Sequence, residues 1–149
     1  MKYKVFEINP DDIDELNVKD CFSIGEIGCS KDLIRLSKMN HDSLAVGFGE
    51  SGGNLHGVAG SLRHWGGCSQ LWAVFSKETE KYPLALTKIC GALIDYAVDR
   101  QELKRVSVNV RTDYGQGNKF AKVLGFQLEG VMRRYLPDGA DANLYARLF

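Results

Sequence analysis

One apolar stripe constrains the fold more than any other feature of the sequence. After Pro83, the residues Leu86, Ile89, Cys90, Leu93, Ile94 and Ala97 recur at intervals of three and four, as in a helix buried along one face against a sheet. The stripe predicts a long helix from about Pro83 to Arg100, with Pro83 in the first turn, where a missing amide costs no helical hydrogen bond. The segments SLAVGFGE, NLHGVAGSLRH and CSQLWAVFS stand before it, rich in apolar and β-forming residues and separated by Ser51-Gly52-Gly53 and Trp65-Gly66-Gly67. They predict an antiparallel meander of three strands for the helix to cover.

The rest of the chain extends this arrangement. KYKVFEI reads as a first strand, ended by the turn dipeptide Asn9-Pro10, and two short helices follow over Asp11 to Lys19 and Ser30 to Met39, with Asp11 and Ser30 as N-caps. RVSVNV alternates as a strand, KFAKVL fits a short helix, and FQLEGVMRRYL and ANLYARLF read as strands joined by the turn Pro137-Asp138-Gly139. The expected class is α/β (α+β), a mixed, mostly antiparallel sheet flanked by helices in the order β-α-α-β-β-β-α-β-α-β-β. No repeat and no linker longer than a turn divides the sequence, so residues 1–149 are expected to form one domain. That length buries on the order of two thirds of the unfolded surface without help from disulfides or metal.

Charge excludes several functions. Nineteen basic residues balance nineteen acidic ones, so no single-sign field exists to hold nucleic acid or anionic lipid. The first twenty residues carry charges throughout, with no apolar run of signal-peptide or membrane-span length, which points to a cytoplasmic setting and no membrane partner. Cys21, Cys29, Cys68 and Cys90 fit neither a zinc spacing nor a small disulfide framework and read as reduced thiols; the alternative is a catalytic cysteine beside His56 or His64. No metal motif is present among the three histidines.

The element order, joined to Leu124-Gly125-Phe126, Glu129-Gly130-Val131 and Arg133-Arg134-Tyr135, resembles the GNAT acyltransferase superfamily. The stretch from about Val106 to Phe149 is similar to the branch that acetylates protein N-termini and ribosomal proteins. More distantly, Leu44 through Phe126 resembles small phage-encoded GNAT-like proteins, some of them virion components. The resemblance implies a V between the fourth and fifth strands, here Leu71 to Phe75 and Arg105 to Val110, with acetyl-CoA as co-substrate. Its pantetheine arm would lie along the fourth strand and its diphosphate on amides at the start of the next helix. The cofactor-binding residues this implies are Trp72, Val74, Ser76, Lys77, Lys81, Leu84 and Ala85.

This chain departs from the family at that cradle. The glycine-rich loop is replaced by Ser76-Lys77-Glu78-Thr79-Glu80-Lys81-Tyr82-Pro83-Leu84-Ala85-Leu86. Bulky Tyr82, Leu84 and Leu86 are expected to narrow the cradle, Glu78 and Glu80 to repel phosphate, and Lys77, Lys81 and Lys88 either to compensate or simply to be solvated. The tyrosine acid that many relatives carry four residues before Gly125 is Ala121 here, and Tyr114 is the nearest substitute; it also fills the slot, eleven residues before Gly125, where relatives carry asparagine. Glu50, His64 and Glu129 are the candidate bases, at or near strand ends or in the Glu-Gly-Val motif. Trp65 with Gly66, Gly67 and Trp72 could wall the cleft, and at most one of Arg133 and Arg134 can face it if both lie in a strand. Asp138 and Asp141 are candidates to attract a cationic amine.

Two functions follow from different classes. One is an acyl-CoA-dependent N-acyltransferase acting on a primary amine of a protein, peptide or small molecule. The other is a catalytically degenerate GNAT-shaped binding module or virion component, located in a host cytoplasm or a particle. A homodimer is compatible with either.

Overall fold

The computed structural model describes residues 3–16, 27–39 and 43–149. Strand β1 (Lys4–Glu7) leads into a 3₁₀ helix (Pro10–Glu15), helix α1 (Ile27–Met39) and the meander β2 (Leu44–Gly49), β3 (Leu55–Trp65) and β4 (Cys68–Phe75). A second 3₁₀ helix (Lys77–Lys81), helix α2 (Pro83–Gln101), β5 (Arg105–Arg111), helix α3 (Gly115–Val123), β6 (Gln127–Met132) and β7 (Ala142–Leu148) complete it. The seven strands form one sheet in the order β1-β2-β3-β4-β5-β7-β6, antiparallel except where β4 meets β5. Among the described residues, no helix is long and apolar enough to cross a membrane.

The two faces of the sheet are covered by different helices. Cys90, Ile94 and Ala97 of α2 pack with Val106, Val108 and Val110 of β5, closing the core on the α2 and α3 side. On the other face Trp72 and Val74 of β4 meet Ile13, Leu33 and Ile34. The alternation of a strand therefore sends odd-numbered β4 residues toward α2 and even-numbered ones toward α1.

Several local expectations need correction. The first helix is a 3₁₀ segment whose N-cap is Asn9 rather than Asp11; the Asp12 carboxylate accepts the Asn9 amide at 2.7 Å, and Pro10 takes the first position. The remainder of the stretch to Lys19 lies outside the described residues. Helix α1 begins at Ile27, so position 30 lies inside it rather than at its N-cap. Helix α3 starts at Gly115, ahead of KFAKVL, because Tyr114 occupies the N-cap. Strand β6 ends at Met132, so Arg133, Arg134 and Tyr135 sit in the connection to β7. Arg134 adopts a left-handed φ of 52°, its amide held by Asp141 Oδ1 at 2.8 Å, and Gly139 takes φ 81° in the turn that follows.

Two ion pairs tie the C-terminal strands together. Arg105 reaches across β7 to both oxygens of Glu129, and Arg111 Nη1 meets Asp138 Oδ2 at 2.6 Å. Each hydrogen bond holds its carboxyl below its ordinary value, 4.5 for Glu129 and 3.8 for Asp138. A carboxyl lowered on folding contributes stability above its unfolded value and loses it as pH falls through the folded one. The urea midpoint should therefore drop as the pH is lowered from 6 to 3, and a Glu129→Gln variant should lose less over that interval than the parent.

Candidate functional site

Strand β4 pairs with β5 over only three positions, Cys68 to Gln70 against Arg105 to Ser107. Beyond them each strand keeps its other neighbour: β3 follows β4 to Phe75, and β7 follows β5 to Arg111. The sheet thus opens into a V from Leu71 and Val108 outward. Its mouth is wedged by Phe75 of β4 and Phe120 of α3, whose rings meet edge-on with centroids 5.9 Å apart.

A cleft of about 430 Å³ lies at this mouth, bordered by Pro83, Leu86 and Thr87 of α2 and by Gln116, Gly117 and Lys119 of α3. Neither helix is closed by a capping side chain, and neither has an acid in its first turn. The first intrahelical bond of α2 runs from the Leu86 amide to Tyr82 O at 3.0 Å, so the Leu84 and Ala85 amides have no acceptor within the helix. Two bare helix N-termini facing one cleft make a setting for an anion, since both carry partial positive charge.

Tyr114 borders this cleft. Its ring lies flat on Gly117, where an added Cβ would come within 2.4 Å of Cδ1, so glycine at 117 is what lets the ring settle on the first turn of α3. Asn118, which the sequence reading passed over, fixes that turn. Its Nδ2 donates to the carbonyls of Arg111 at 2.8 Å and Tyr114 at 2.7 Å, and its Oδ1 accepts from Asn143 Nδ2 at 2.8 Å and the Tyr145 hydroxyl at 2.9 Å. Both donors and both lone pairs of the amide are used.

The cradle residues are disposed unevenly. The Ser76 amide bonds to His56 O at 2.8 Å, and by alternation the peptide groups of Trp72 and Val74 also turn toward β3, leaving those of Leu71, Ala73 and Phe75 directed to the β5 side. The Trp72 and Val74 side chains are buried under α1. Leu84 is 78% exposed and does not narrow the cradle; Tyr82 is half-buried, and of the three bulky residues only Leu86 borders the cleft. Ala85 packs against the core. Lys77 and Lys88 are exposed, while Lys81 is paired to Glu78 at 2.6 Å. Glu80 borders the cleft.

The structure does not bring the candidate bases together. Glu50 lies just past β2, its Oε1 3.8 Å from Nε2 of buried His56. His64 is exposed at the far end of β3 beside Trp65, eight strand residues from His56 or roughly 26 Å away, next to the end where β4 and β5 still pair. Glu129 is engaged by Arg105, itself opposite Cys68 at that closed end. Trp65 is 68% exposed at the same hairpin, remote from buried Trp72. Asp138 and Asp141 are committed to Arg111 and to the Arg134 amide. Asn109, also missed in the sequence, is buried on the β5 face away from α2; its Nδ2 donates to the Tyr135 hydroxyl at 3.1 Å and its Oδ1 has no hydrogen-bond partner.

Cys68 and Cys90 are free and buried, and Cys21 lies outside the described residues. Burial pushes the Cys90 thiol up to about 12, which removes the thiolate a nucleophile needs. At pH 8 a water-soluble thiol reagent should leave Cys90 unlabelled in the native protein and label it in urea, as peptide mapping would show. Among the described residues no group of three or more His, Cys, Asp or Glu could hold a metal ion.

The architecture is shared with solved acetyltransferases. A chimeric spermidine N-acetyltransferase built from Vibrio cholerae SpeG and hSSAT superposes with a TM-score of 0.77 at 12% identity, covering 99% of this chain and 96% of its own. A GNAT-family acetyltransferase from Streptococcus pneumoniae gives 0.72 at 17% identity over 99% of both chains. The microcin C7 self-immunity acetyltransferase MccE, solved with acetyl-CoA and AMP, gives 0.66 at 21% identity over 84% of this chain and 73% of its own. No family model matches the chain, and no curated protein matches its sequence. The chain has the GNAT acetyltransferase fold.

Proposed function

We propose that the protein is an acyl-CoA-dependent N-acyltransferase acting on a primary amine. The observation that carries the reading is the V itself: β4 and β5 part after three pairs, and two uncapped helix N-termini border the cleft at its mouth. The thioester lies between the strands, and the diphosphate takes the Leu84 and Ala85 amides, a backbone cradle that needs no glycine because Leu84 points outward. The amine, having given one proton to solvent or a base, attacks the thioester carbon. The C–N bond forms, the C–S bond breaks, the nitrogen sheds its second proton and the departing thiolate takes one up. Tyr114, which borders the cleft, is the phenol we assign to protonate sulfur. The amine approaches from the opposite face of β5, where the Asn109 oxygen lacks a partner beside exposed Tyr135; an acceptor N–H is the donor it lacks.

The GNAT structures of comparable fold include one named for spermidine, and a polyamine and an N-terminal peptide are the acceptors to test. The assay follows release of free CoA thiol and the mass of the acceptor; acylated amine formed only with enzyme supports the reading, and no product with any amine contradicts it. The binding-module or virion alternative rests on the missing glycines and on Glu80 at the cleft, and it requires that no thioester bind.

Backbone gripping has its own signature. Proline at 84 deletes one of the unpaired first-turn amides of α2 without breaking a helical bond, so Leu84→Pro should weaken acetyl-CoA at least tenfold, in line with about 1.5–3 kcal/mol for a hydrogen bond to a charged group. Lys81→Ala should change the affinity less than about threefold, because Glu78 already holds that ammonium. Calorimetry on both folded variants decides the order.

A further inference from the structure

Behind the Phe75 and Phe120 rings lies a second cavity of about 70 Å³, and both rings border both spaces. Its walls come from Leu71 and Ala73 of β4, Val108 of β5, Cys90 and Leu93 of α2 and Phe126 after α3. No charged side chain borders it. The Ser61 hydroxyl at its edge is already bonded, accepting the Leu44 amide at 3.3 Å and Gln101 Nε2 at 2.9 Å. An apolar space that shares the Phe75 and Phe120 rings with a cleft suited to a thioester can take the hydrocarbon part of that thioester.

We propose that this cavity receives the acyl tail, so that the donor is a short- to medium-chain acyl thioester rather than acetyl-CoA. The inference rests on the acyl-CoA reading above. At about 30 Å³ for each water-sized group, the cavity holds two or three carbons beyond the acetyl methyl, giving an acyl chain of about four or five carbons. The Phe75 and Phe120 rings part to admit it, and the edge-on contact between them is replaced by contact with the chain. Carboxylated or hydroxylated acyl groups are refused, because the walls offer them no partner.

The test is a calorimetric series on the whole protein with CoA, acetyl-CoA, butanoyl-CoA, hexanoyl-CoA and decanoyl-CoA. Each buried methylene is worth roughly fourfold, so butanoyl-CoA should bind about fifteenfold tighter than acetyl-CoA, with no gain beyond hexanoyl. Cys90→Leu and Ala59→Leu fill the cavity from opposite walls and should bring the ratio of butanoyl to acetyl affinity close to one, with thermal midpoints reporting that each is folded. Where a filling variant does not fold, the chain-length series on the parent decides alone. Equal affinity for all chain lengths, with CoA itself bound, overturns the acyl-tail site and leaves the acyltransferase reading standing. Failure of CoA and every thioester to bind overturns the acyltransferase reading itself.

Discussion

Replacing Trp72 by Ala should cost about 3–5 kcal/mol of unfolding free energy, the range for truncating a fully buried aromatic side chain. Trp72 is 2% exposed and packs with Val58, Val74 and Ile34 under α1. Its ring rests on Gly60 of β3, where an added Cβ would stand 2.5 Å from Cζ2 and 2.4 Å from the Leu44 carbonyl. The strand pair β3 and β4 is therefore built around one glycine and one indole, and Gly60→Val should destabilise by a comparable amount through overpacking. The indole Nε1 has no hydrogen-bond partner, so Trp72→Phe removes an unsatisfied donor along with some volume and should cost far less than alanine. Urea denaturation of the three variants measures this; a loss below about 1 kcal/mol for Trp72→Ala would show that the α1 face contributes little to the sheet.

Asn118→Ala should cost about 3 kcal/mol and abolish the cleft together. Four hydrogen bonds of 2.7 to 2.9 Å, and a longer fifth to the Thr112 carbonyl at 3.4 Å, end on this one amide, and a typical bond contributes about 1 kcal/mol net, with a further penalty for the buried groups left unpaired. The partners are the end of β5, the N-cap of α3 and two residues of β7, so the amide sets the angle at which α3 leaves the sheet. Once that angle relaxes, Tyr114, Gly117 and Phe120 no longer line the cleft, and CoA affinity falls with stability. Asn118→Asp separates the two effects: it keeps the bonds from Asn143 and Tyr145 and loses those to the carbonyls of Arg111 and Tyr114. Unfolding midpoints and CoA titrations on both variants check the prediction, and full CoA affinity in a folded Asn118→Ala protein would refute it.

The parts of the fold legible in the sequence are those encoded by local periodicity. The stripe from Leu86 to Ala97 marks α2 within a residue of its observed end at Gln101, and RVSVNV marks β5. Propensity marks only KFAKVL of helix α3, because Gly115 and Gly117 are poor helix formers; one of them is required by the Tyr114 ring, a contact that propensity does not register. The V is written in registers rather than composition: β4 reads as one continuous strand, and nothing in CSQLWAVFS says that β5 leaves it after Gln70. Glu50 and His64 look equivalent in sequence because both close a strand, yet β3 carries them to opposite ends of the sheet. Asn118 was illegible for a related reason, since two of its partners are 25 and 27 residues away. The lysines after Ser76 show the limit from the other side: Lys81 reads as either a phosphate partner or a solvated charge, and the structure pairs it instead with Glu78, three residues before it.

If the cleft between α2 and α3 holds an acyl-CoA by its backbone amides, isothermal titration of the purified protein with CoA and its thioesters will show it. Saturable binding at one site per chain is expected, weakened at least tenfold in Leu84→Pro and less than about threefold in Lys81→Ala. Absence of any binding heat at millimolar ligand, in protein shown to be folded, would contradict it.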